Sequence, residues 1–352
     1  MRRILFPLGL ALLVALPFAL VEGGVRLFMA PVDALELFVT PFEQRHNKRT
    51  DAIFIGDPLV GWRLKPGVRQ VWWDFTLVLT NKAGLRAEQE LGPKGEGVYR
   101  IVSLGDSVTF GYRSPVVMRG PLRNPDIAQG DYPTLTARLL QDGGIDAEAF
   151  PLAVPGYSSR QGRLWYEEVA GDLDADLVTI LFGWNDADLR PAPDRVTFDG
   201  DRFMTGARGM VAASQTLSHL SQWWRKRSDP PTAPPYASWV PRSTTQEYVE
   251  NVMAMARLAR STGAAVVVIA PVYRDPATDP ALAARMGAFR NALGERCAAE
   301  GIVYLVIPEL TEGGHPANAS YFDAEPIHPT IAGHRLLARR LAAFIRGTEE
   351  GK

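Results

Sequence analysis

A serine that directly follows a short strand is the first candidate for chemistry in this sequence. Residues 101–104 form a mostly apolar run, Gly105 ends it, and Asp106 and Ser107 follow. Such a serine would lie at the carboxyl end of a strand, where open α/β sheets bind their ligands. Because Asp and Ser after Gly are also ordinary turn residues, a nucleophilic Ser107 requires a base, an orienting acid and oxyanion donors elsewhere.

Candidate oxyanion donors follow two other predicted strands, at residues 147–154 and 177–182. The first strand is followed by Gly156 and the second by a loop that contains Asn185. The Gly156 N–H, the Asn185 amide and the N–H of Ser107 could together surround an oxyanion, since the carboxyl ends of parallel strands meet at one sheet edge. The alternatives are a plain turn at Gly156 and a loop-stabilising side chain at Asn185.

The candidate base is one of five histidines. Four of them lie in the amino-terminal extension, an insertion, a Gly/Pro loop and the last predicted helix: His46, His219, His315 and His334. His328 instead lies between the last strand and the last helix, where a loop can bring an imidazole over the strand ends. A histidine base needs a carboxylate on its other ring nitrogen. Glu325, three residues earlier, is the first choice and Asp323 the second.

The composition excludes several classes of function. The chain has 38 Lys plus Arg against 39 Asp plus Glu, so no global charge favours nucleic acid as a partner. The single Cys297 excludes an intrachain disulfide and is interpreted as a buried small residue. No Cys/His cluster has zinc spacing. Neither a metal nor an organic cofactor is implied.

The amino terminus predicts a membrane segment. Arg2 and Arg3 precede an uncharged, mostly apolar run over residues 4–21. As a helix this run would be about 27 Å long, close to the thickness of a hydrocarbon core. The arginines would stay cytoplasmic and the rest of the chain would be periplasmic or at the cell surface. No Ala-x-Ala site follows the run, which favours a retained anchor over the alternative, a cleaved signal and a secreted protein.

The rest of the chain predicts a small extension and one large domain. Residues 29–97 contain short aromatic, β-branched runs and form a β-rich extension, and residues 98–348 form the main domain. Strands alternate with helices in the main domain, which predicts a parallel, doubly wound sheet. An insertion at about 189–240 interrupts this alternation.

Two tryptophan pairs have alternative interpretations. Trp72 and Trp73 in the extension are interpreted as hairpin packing, with a sugar platform as the alternative. Trp223 and Trp224 precede a basic run at 225–227, a composition typical of membrane-interface contacts. A solvated helix end is the preferred interpretation of the second pair.

The candidate residues occur in an order that resembles a known family. The order is Gly105-Asp106-Ser107, then Gly156, then Gly183-x-Asn185-Asp186, then an acid three residues before His328-Pro329. This set is similar to the four sequence blocks of the SGNH/GDSL hydrolases, over roughly residues 100–342. Residues 57–86 also resemble the extension of membrane-anchored bacterial members.

The resemblance implies a fold and a set of roles. The fold is a three-layer α/β/α sandwich with a parallel, flavodoxin-like sheet, plus the small β-rich amino-terminal extension. Ser107 matches the nucleophile, His328 the base, and Gly156 and Asn185, with Ser107, the oxyanion donors. The family usually has Asp where this chain has Glu325, which leaves the orienting acid open between Glu325 and Asp323. The remaining block residues are supporting positions: Gly105, Asp106, Gly183 and Asp186.

The predicted function is therefore that of a serine esterase that hydrolyses carboxylic esters through an acyl-enzyme. The expected substrate is a small-molecule or glycan ester, with O-acetyl groups of an envelope or exported glycan preferred. Three alternatives stay open: an O-acyltransferase with the same site, a lipid esterase, and a non-catalytic glycan-binding module with a decayed site. The sequence does not identify the acyl group, the alcohol, protein partners or the oligomeric state.

Overall fold

The computed structural model describes residues 2–38, 52–114, 130–227, 235–273, 279–312, 315–322 and 327–349. The chain divides into two compact units. One comprises Met1–Arg63 and Gly200–Pro234, and the other comprises Leu64–Asp199 and Pro235–Lys352.

Eleven strands and fourteen α-helices are found within the described residues. The strands are β1 (Phe54–Asp57), β2 (Gly61–Leu64), β3 (Val71–Trp73), β4 (Thr76–Val78), β5 (Tyr99–Gly105), β6 (Ala147–Ala153), β7 (Leu177–Leu181), β8 (Leu189–Arg190), β9 (Val240–Pro241), β10 (Ala265–Ile269) and β11 (Val303–Leu305). The helices are α1 (Arg2–Phe28), α2 (Ala34–Phe38), α3 (Ser107–Phe110), α4 (Tyr132–Asp142), α5 (Ser159–Val169), α6 (Trp184–Ala187), α7 (Asp194–Thr197), α8 (Arg202–Ala213), α9 (Gln215–Arg227), α10 (Thr245–Ser261), α11 (Pro280–Ala299), α12 (Pro308–Thr311), α13 (Asn318–Tyr321) and α14 (Ile331–Glu349).

The central sheet has the order β11-β10-β7-β5-β6, and all four pairings are parallel. Numbered by their place in this sheet along the chain, its strands run 2-1-3-4-5, which is the flavodoxin-like order. The order reverses between β5 and β7, so the crevice at this switch point is the expected ligand site. The predicted parallel, doubly wound sheet is confirmed.

Successive side chains of a strand point to opposite faces of the sheet, and helices bury both sets here. Ile101 and Leu177 belong to one apolar cluster with residues of α4 and α14. Val102 and Val178, one position further on, are fully buried outside that cluster. Helix α10 contacts β7 and β10 as well as its neighbours α5 and α11, and these three helices complete the three-layer arrangement.

The β-rich extension contains a hairpin that the sequence shows only in part. Residues 70–80 form one of the aromatic, β-branched runs of the extension, and within this run β3 and β4 pair antiparallel around a turn at Asp74 and Phe75. Both turn residues have positive φ, 40° and 62°, as in the two-residue turns that fit strand twist. Trp73 is buried, as expected for hairpin packing, whereas Trp72 is 46% exposed.

The ends of the insertion lie together. β8 pairs antiparallel with β9, so Leu189 lies opposite Pro241. Just inside and outside this ribbon, buried Asp194 and Arg242 form an ion pair with a 2.9 Å N–O distance. The insertion is thus closed at its base.

The predicted membrane segment lies within α1. None of the helices whose residues are described is both long and apolar enough to cross a bilayer. The side chains of residues 2–14 in α1, which form much of the predicted anchor, lie outside the described set.

Candidate active site

Ser107 is presented by a strand, a tight turn and a short helix. β5 ends at Gly105, and the Asp106 carboxylate caps α3 by accepting the Val108 N–H at 2.9 Å. A Cβ at position 105 would overlap Thr109 Oγ1, so only glycine allows this approach of helix to strand. The first residue of the helix is therefore Ser107, at the carboxyl edge of the sheet.

His328 lies beside this serine. Its Nε2 is 2.8 Å from Ser107 Oγ, within the distance at which a histidine can accept the hydroxyl proton. A bridge between Phe322 and Pro329 fixes the chain next to the histidine. The two residues, 221 positions apart in sequence, thus have the geometry of a nucleophile and its base.

The orienting acid is not located. Glu325 and Asp323 both lie outside the described residues. The choice between them stays a prediction.

Asn185 connects the three strand ends. Its Nδ2 donates to Tyr157 O at 3.0 Å and to Asp106 Oδ2 at 3.2 Å. These acceptors directly adjoin Gly156 and Ser107 in sequence. The proposed oxyanion donors are therefore brought together, although their catalytic roles stay predictions.

Gly156 has a conformation that favours glycine. Its φ is 86°, in the left-handed region. Its carbonyl accepts a hydrogen bond from Arg242 Nη1 at 2.7 Å, which fixes the peptide between Gly156 and Tyr157. Arg242 follows the short ribbon at the base of the insertion, so this ribbon supports the candidate oxyanion loop.

Asp186 supports the site from within the protein. Its carboxylate accepts the Ser159 N–H at 2.9 Å, the Ser159 hydroxyl at 2.5 Å and the Ser243 hydroxyl at 2.7 Å. Burial raises the pKa of Asp186 to about 6, although these donors favour the charged form. Gly183, with a φ of 149°, leaves no room for a side chain, because a Cβ would lie 2.9 Å from Pro271 Cβ.

Asp106 has a more strongly perturbed carboxyl. Burial raises the pKa of Asp106 to about 7, and the nearby charge of Asp186 acts in the same direction. The hydrogen bonds from Val108 and Asn185 oppose this rise. Protonation of Asp106 near neutral pH would thus alter the partner of the Asn185 amide.

The residues that pack around His328 could not be predicted from the sequence. The Tyr112 ring lies 4.5 Å from the His328 ring, centroid to centroid. The Tyr112 hydroxyl donates to the Asp74 carboxylate in the hairpin turn, and the Trp73 ring lies 5.4 Å from the Tyr112 ring, centroid to centroid. The hairpin is therefore linked to the candidate base through Tyr112. No local signal could have shown this, because residues 74 and 112 are distant in sequence.

Arg86 forms a further link between the extension and α3. Its buried guanidinium donates to Phe110 O and lies 3.4 Å from Asp131 Oδ2. Gly111, with a φ of 73°, ends α3 and leaves room for this guanidinium. In the sequence, Arg86 ends the segment 57–86 that resembles the extension of membrane-anchored members, and this resemblance implies no contact with the site.

The other described histidines are not next to the serine. His219 contacts Ala30 O and His315 accepts the Ala317 N–H. His334 is fully buried and stacks on Tyr132, with centroids 6.4 Å apart. Within the described ranges, no group of three or more His, Cys, Asp or Glu could hold a metal ion.

Comparisons with known proteins place this site in context. The family model of GDSL-like lipases/acylhydrolases matches residues 103–336. A search of curated proteins gave no match. The chain is similar to the solved lipase/acylhydrolase from Enterococcus faecalis, with 20% identity, a TM-score of 0.45, and coverage of 71% of this chain and 96% of that chain. It is also similar to an acetylxylan esterase from Geobacillus stearothermophilus, with 16% identity, a TM-score of 0.43, and coverage of 69% and 92%.

Proposed function

Because the chain belongs to the GDSL-like lipase/acylhydrolase family, we propose that it hydrolyses carboxylic esters through an acyl-enzyme on Ser107. The observation that carries this proposal is the 2.8 Å distance between Ser107 Oγ and His328 Nε2. A serine hydroxyl is a weak nucleophile unless a base of this kind takes its proton.

The chemistry proceeds in two halves. His328 Nε2 takes the Ser107 proton as Oγ attacks the ester carbonyl carbon, and the carbonyl oxygen becomes an oxyanion. The Ser107 and Gly156 N–H groups and the Asn185 amide stabilise this charge. When the intermediate collapses, the C–O bond to the alcohol breaks and His328 protonates the leaving oxygen. Water, deprotonated by His328, then attacks the acyl carbon, and Ser107 recovers its proton as the acid leaves.

An ester carried by a glycan is the substrate class that we prefer. Phe75, in the turn whose Asp74 reaches Tyr112, is 52% exposed. An exposed aromatic face in this turn offers flat apolar contact area for a sugar ring. O-acetyl groups suit a site of this kind, with the alcohol side of the ester placed towards the hairpin.

The place of action that we propose is outside the cytoplasm, with the amino-terminal segment as a membrane anchor. The support is the sequence alone: Arg2 and Arg3 precede the uncharged run over residues 4–21. Envelope or exported glycans would be accessible to a domain held there.

A lipid ester is the second candidate substrate. Trp223 and Trp224 are 50% and 69% exposed, which would favour an enzyme that works at a lipid surface. If this is correct, Trp223→Ala with Trp224→Ala lowers activity on vesicle-borne esters and leaves activity on soluble esters intact. Equal loss on both substrates would exclude it.

The decisive experiment is covalent labelling of the full chain with a fluorophosphonate probe, with the adduct located by mass spectrometry. We expect an adduct on Ser107, none in Ser107→Ala, and much slower labelling in His328→Ala. Ser261→Ala, which removes an exposed serine hydroxyl bonded to Leu258 O, is the matched control and should label as the wild type does. A folded wild type without an adduct would instead indicate the non-catalytic glycan-binding module.

Hydrolysis and acyl transfer are separated by their products. Unlabelled enzyme is supplied with an acetyl ester, with and without a sugar acceptor. Free acetate in both reactions supports hydrolysis, whereas acetylated sugar at the expense of acetate supports the O-acyltransferase.

A further inference from the structure

Helix α8 has an apolar face that the described residues leave exposed. None of its 12 residues is buried, although Phe203 and Met210 lie seven positions apart on one side. These side chains are 82% and 66% exposed. Short helices are marginal alone and gain most of their stability by packing an apolar face. We therefore expect this face of α8 to be buried against another apolar surface.

Helix α9 carries a second exposed stripe. Trp223 and Trp224 lie three and four positions after Leu220, and Arg227 lies four positions after Trp223, so the four residues share one face. The three apolar members of this stripe are all at least half exposed. Arg227 lies over the Trp223 ring, 4.4 Å from its centroid, so a cation borders the aromatic surface.

The charge of this region has one sign. Residues 202–227 contain five basic residues and no acidic residue: Arg202, Arg208, Arg225, Lys226 and Arg227. The whole chain is nearly neutral, so the excess is local. The acids that contact α9 are Glu22 and Glu36, which accept hydrogen bonds from Gln215 and Gln222. Exposed aromatic and aliphatic side chains with an excess of cations are the composition of helices that lie in the headgroup region of anionic membranes.

The same compact unit holds α9 against α1. The Glu22 carboxylate accepts the Gln215 and Thr216 N–H groups, at 2.9 and 3.0 Å, and so caps the start of α9. Arg26 donates to Ala213 O at 2.8 Å, at the junction of α8 and α9. Helix α1, which contains the uncharged run 4–21, is thus hydrogen-bonded directly to the start of α9 and to the junction of α8 and α9.

We propose that α8 and α9 form a membrane-interface surface, defined by Phe203, Met210, Leu220, Trp223 and Trp224, that binds an anionic bilayer. The apolar side chains enter the acyl boundary and the surrounding cations contact lipid phosphates. A bilayer fits better than a protein groove, because residues 202–227 carry a net positive charge and α1, with its uncharged run, belongs to the same unit. This inference is independent of the esterase activity.

The test measures contact at named positions in the full chain. Met210→Cys and Leu220→Cys are labelled with an environment-sensitive fluorophore, and Gln246→Cys, an exposed position on α10, is the control. Cys297 is buried, and wild-type protein treated in the same way gives the labelling background. Vesicles of phosphatidylcholine, with or without phosphatidylglycerol, carry a lipid quencher at the depth of the upper acyl chain.

We expect strong quenching at 210 and 220, little at 246, and tighter binding to the anionic vesicles. Trp223→Ala with Trp224→Ala should weaken the contact at 220 by more than about tenfold, since each buried aromatic side chain contributes that much or more. Trp72→Ala, which removes an exposed tryptophan of the other unit, should leave it unchanged.

Two results would overturn the proposal. The first is quenching at 210 and 220 no greater than at 246, whether the chain binds the vesicles elsewhere or not at all. The second is a fluorophore shift that appears without vesicles and grows with protein concentration, which would show that a second copy covers the surface.

Discussion

Nδ2 of Asn185 lies 3.2 Å from Oδ2 of Asp106 and donates to it, so a candidate oxyanion donor is bonded to the residue next to the candidate nucleophile. The second amide hydrogen of Asn185 goes to Tyr157 O. Both hydrogens are thus engaged, and an oxyanion must replace one acceptor. The position of Asn185 is set in advance by these two bonds, which reduces the reorganisation needed when charge develops.

Replacing Asn185 by alanine should lower kcat by about 10²- to 10³-fold with a small change in KM, because the lost donor acts mainly in the transition state. Steady-state kinetics on a soluble acetyl ester measure both constants. Thermal unfolding of the variant checks that the loops remain folded. A rise in KM at unchanged kcat would show that Asn185 only binds the substrate.

Replacing Asp106 by asparagine should change how stability depends on pH. The folded pKa of Asp106, about 7, lies above the unfolded value near 3.8. The protonated Asp106 carboxyl therefore stabilises the folded wild type in full below pH 3.8, and this stabilisation is lost as the pH rises to about 7. Asp106→Asn cannot ionise and still caps α3, since Asn and Asp are similar N-caps.

The free energy of unfolding of Asp106→Asn, minus that of the wild type, should consequently rise between pH 4 and pH 7. The slope is at most about 1.4 kcal/mol per pH unit, and it flattens above pH 7. Urea unfolding at several pH values measures it. A difference independent of pH would show that the carboxyl has its ordinary pKa in the folded protein.

Tyr112 is expected to position the His328 ring. Tyr112→Phe keeps the ring contact and loses only the bond to Asp74, so kcat should fall a few-fold. Tyr112→Ala removes the contact, worth about 0.5–1.5 kcal/mol for an aromatic pair, and should lower kcat by up to about tenfold.

The pH profile of kcat distinguishes positioning from a loss of folding. Displacement of the imidazole should alter the profile in Tyr112→Ala and leave it intact in Tyr112→Phe. Equal losses in both variants, with an unaltered profile, would contradict a positioning role.

The sequence predicted the parts of the site that are encoded locally. Two strands could be recognised because one apolar run stops at Gly105 and the other just before Gly183, and parallel pairing then places Ser107 and Asn185 at one edge. The link from Asp74 to Tyr112 could not be recognised. It depends on a turn inside one run of aromatic and β-branched residues. The two turn residues, Asp74 and Phe75, have positive φ although neither is a glycine.

Glu325 is expected to be the acid that orients His328, because it holds the position at which the family has Asp. Glu325→Gln should lower kcat by orders of magnitude, since loss of the orienting carboxylate destabilises the imidazolium. Asp323→Asn is the matched control and should retain most activity. The reverse order of the two losses would assign the role to Asp323.

His334→Phe is expected to make the protein more resistant to acid. Burial, with the charges of Arg86 and His328, lowers the pKa of His334 to about 3, from 6.5 in the unfolded chain. The unfolded chain therefore takes up a proton that the folded chain refuses. The neutral, buried imidazole therefore leaves the stability of the wild type intact above about pH 6.5. The free energy of unfolding then decreases as the pH falls towards 3.

Phenylalanine at this position retains a ring against Tyr132 and removes two ring nitrogens that have no hydrogen-bond partner among the described residues. The unfolding free energy of His334→Phe, minus that of the wild type, should be near zero or positive at pH 7. It should increase as the pH falls to 4, by at most about 1.4 kcal/mol per unit. Tyr132→Phe is the control, since burial raises the pKa of Tyr132 to about 12 and its effect should not change over this range. If the His334→Phe difference is equally flat, the imidazole gains water on acidification, and the packing between α4 and α14 is looser than the stacked rings indicate.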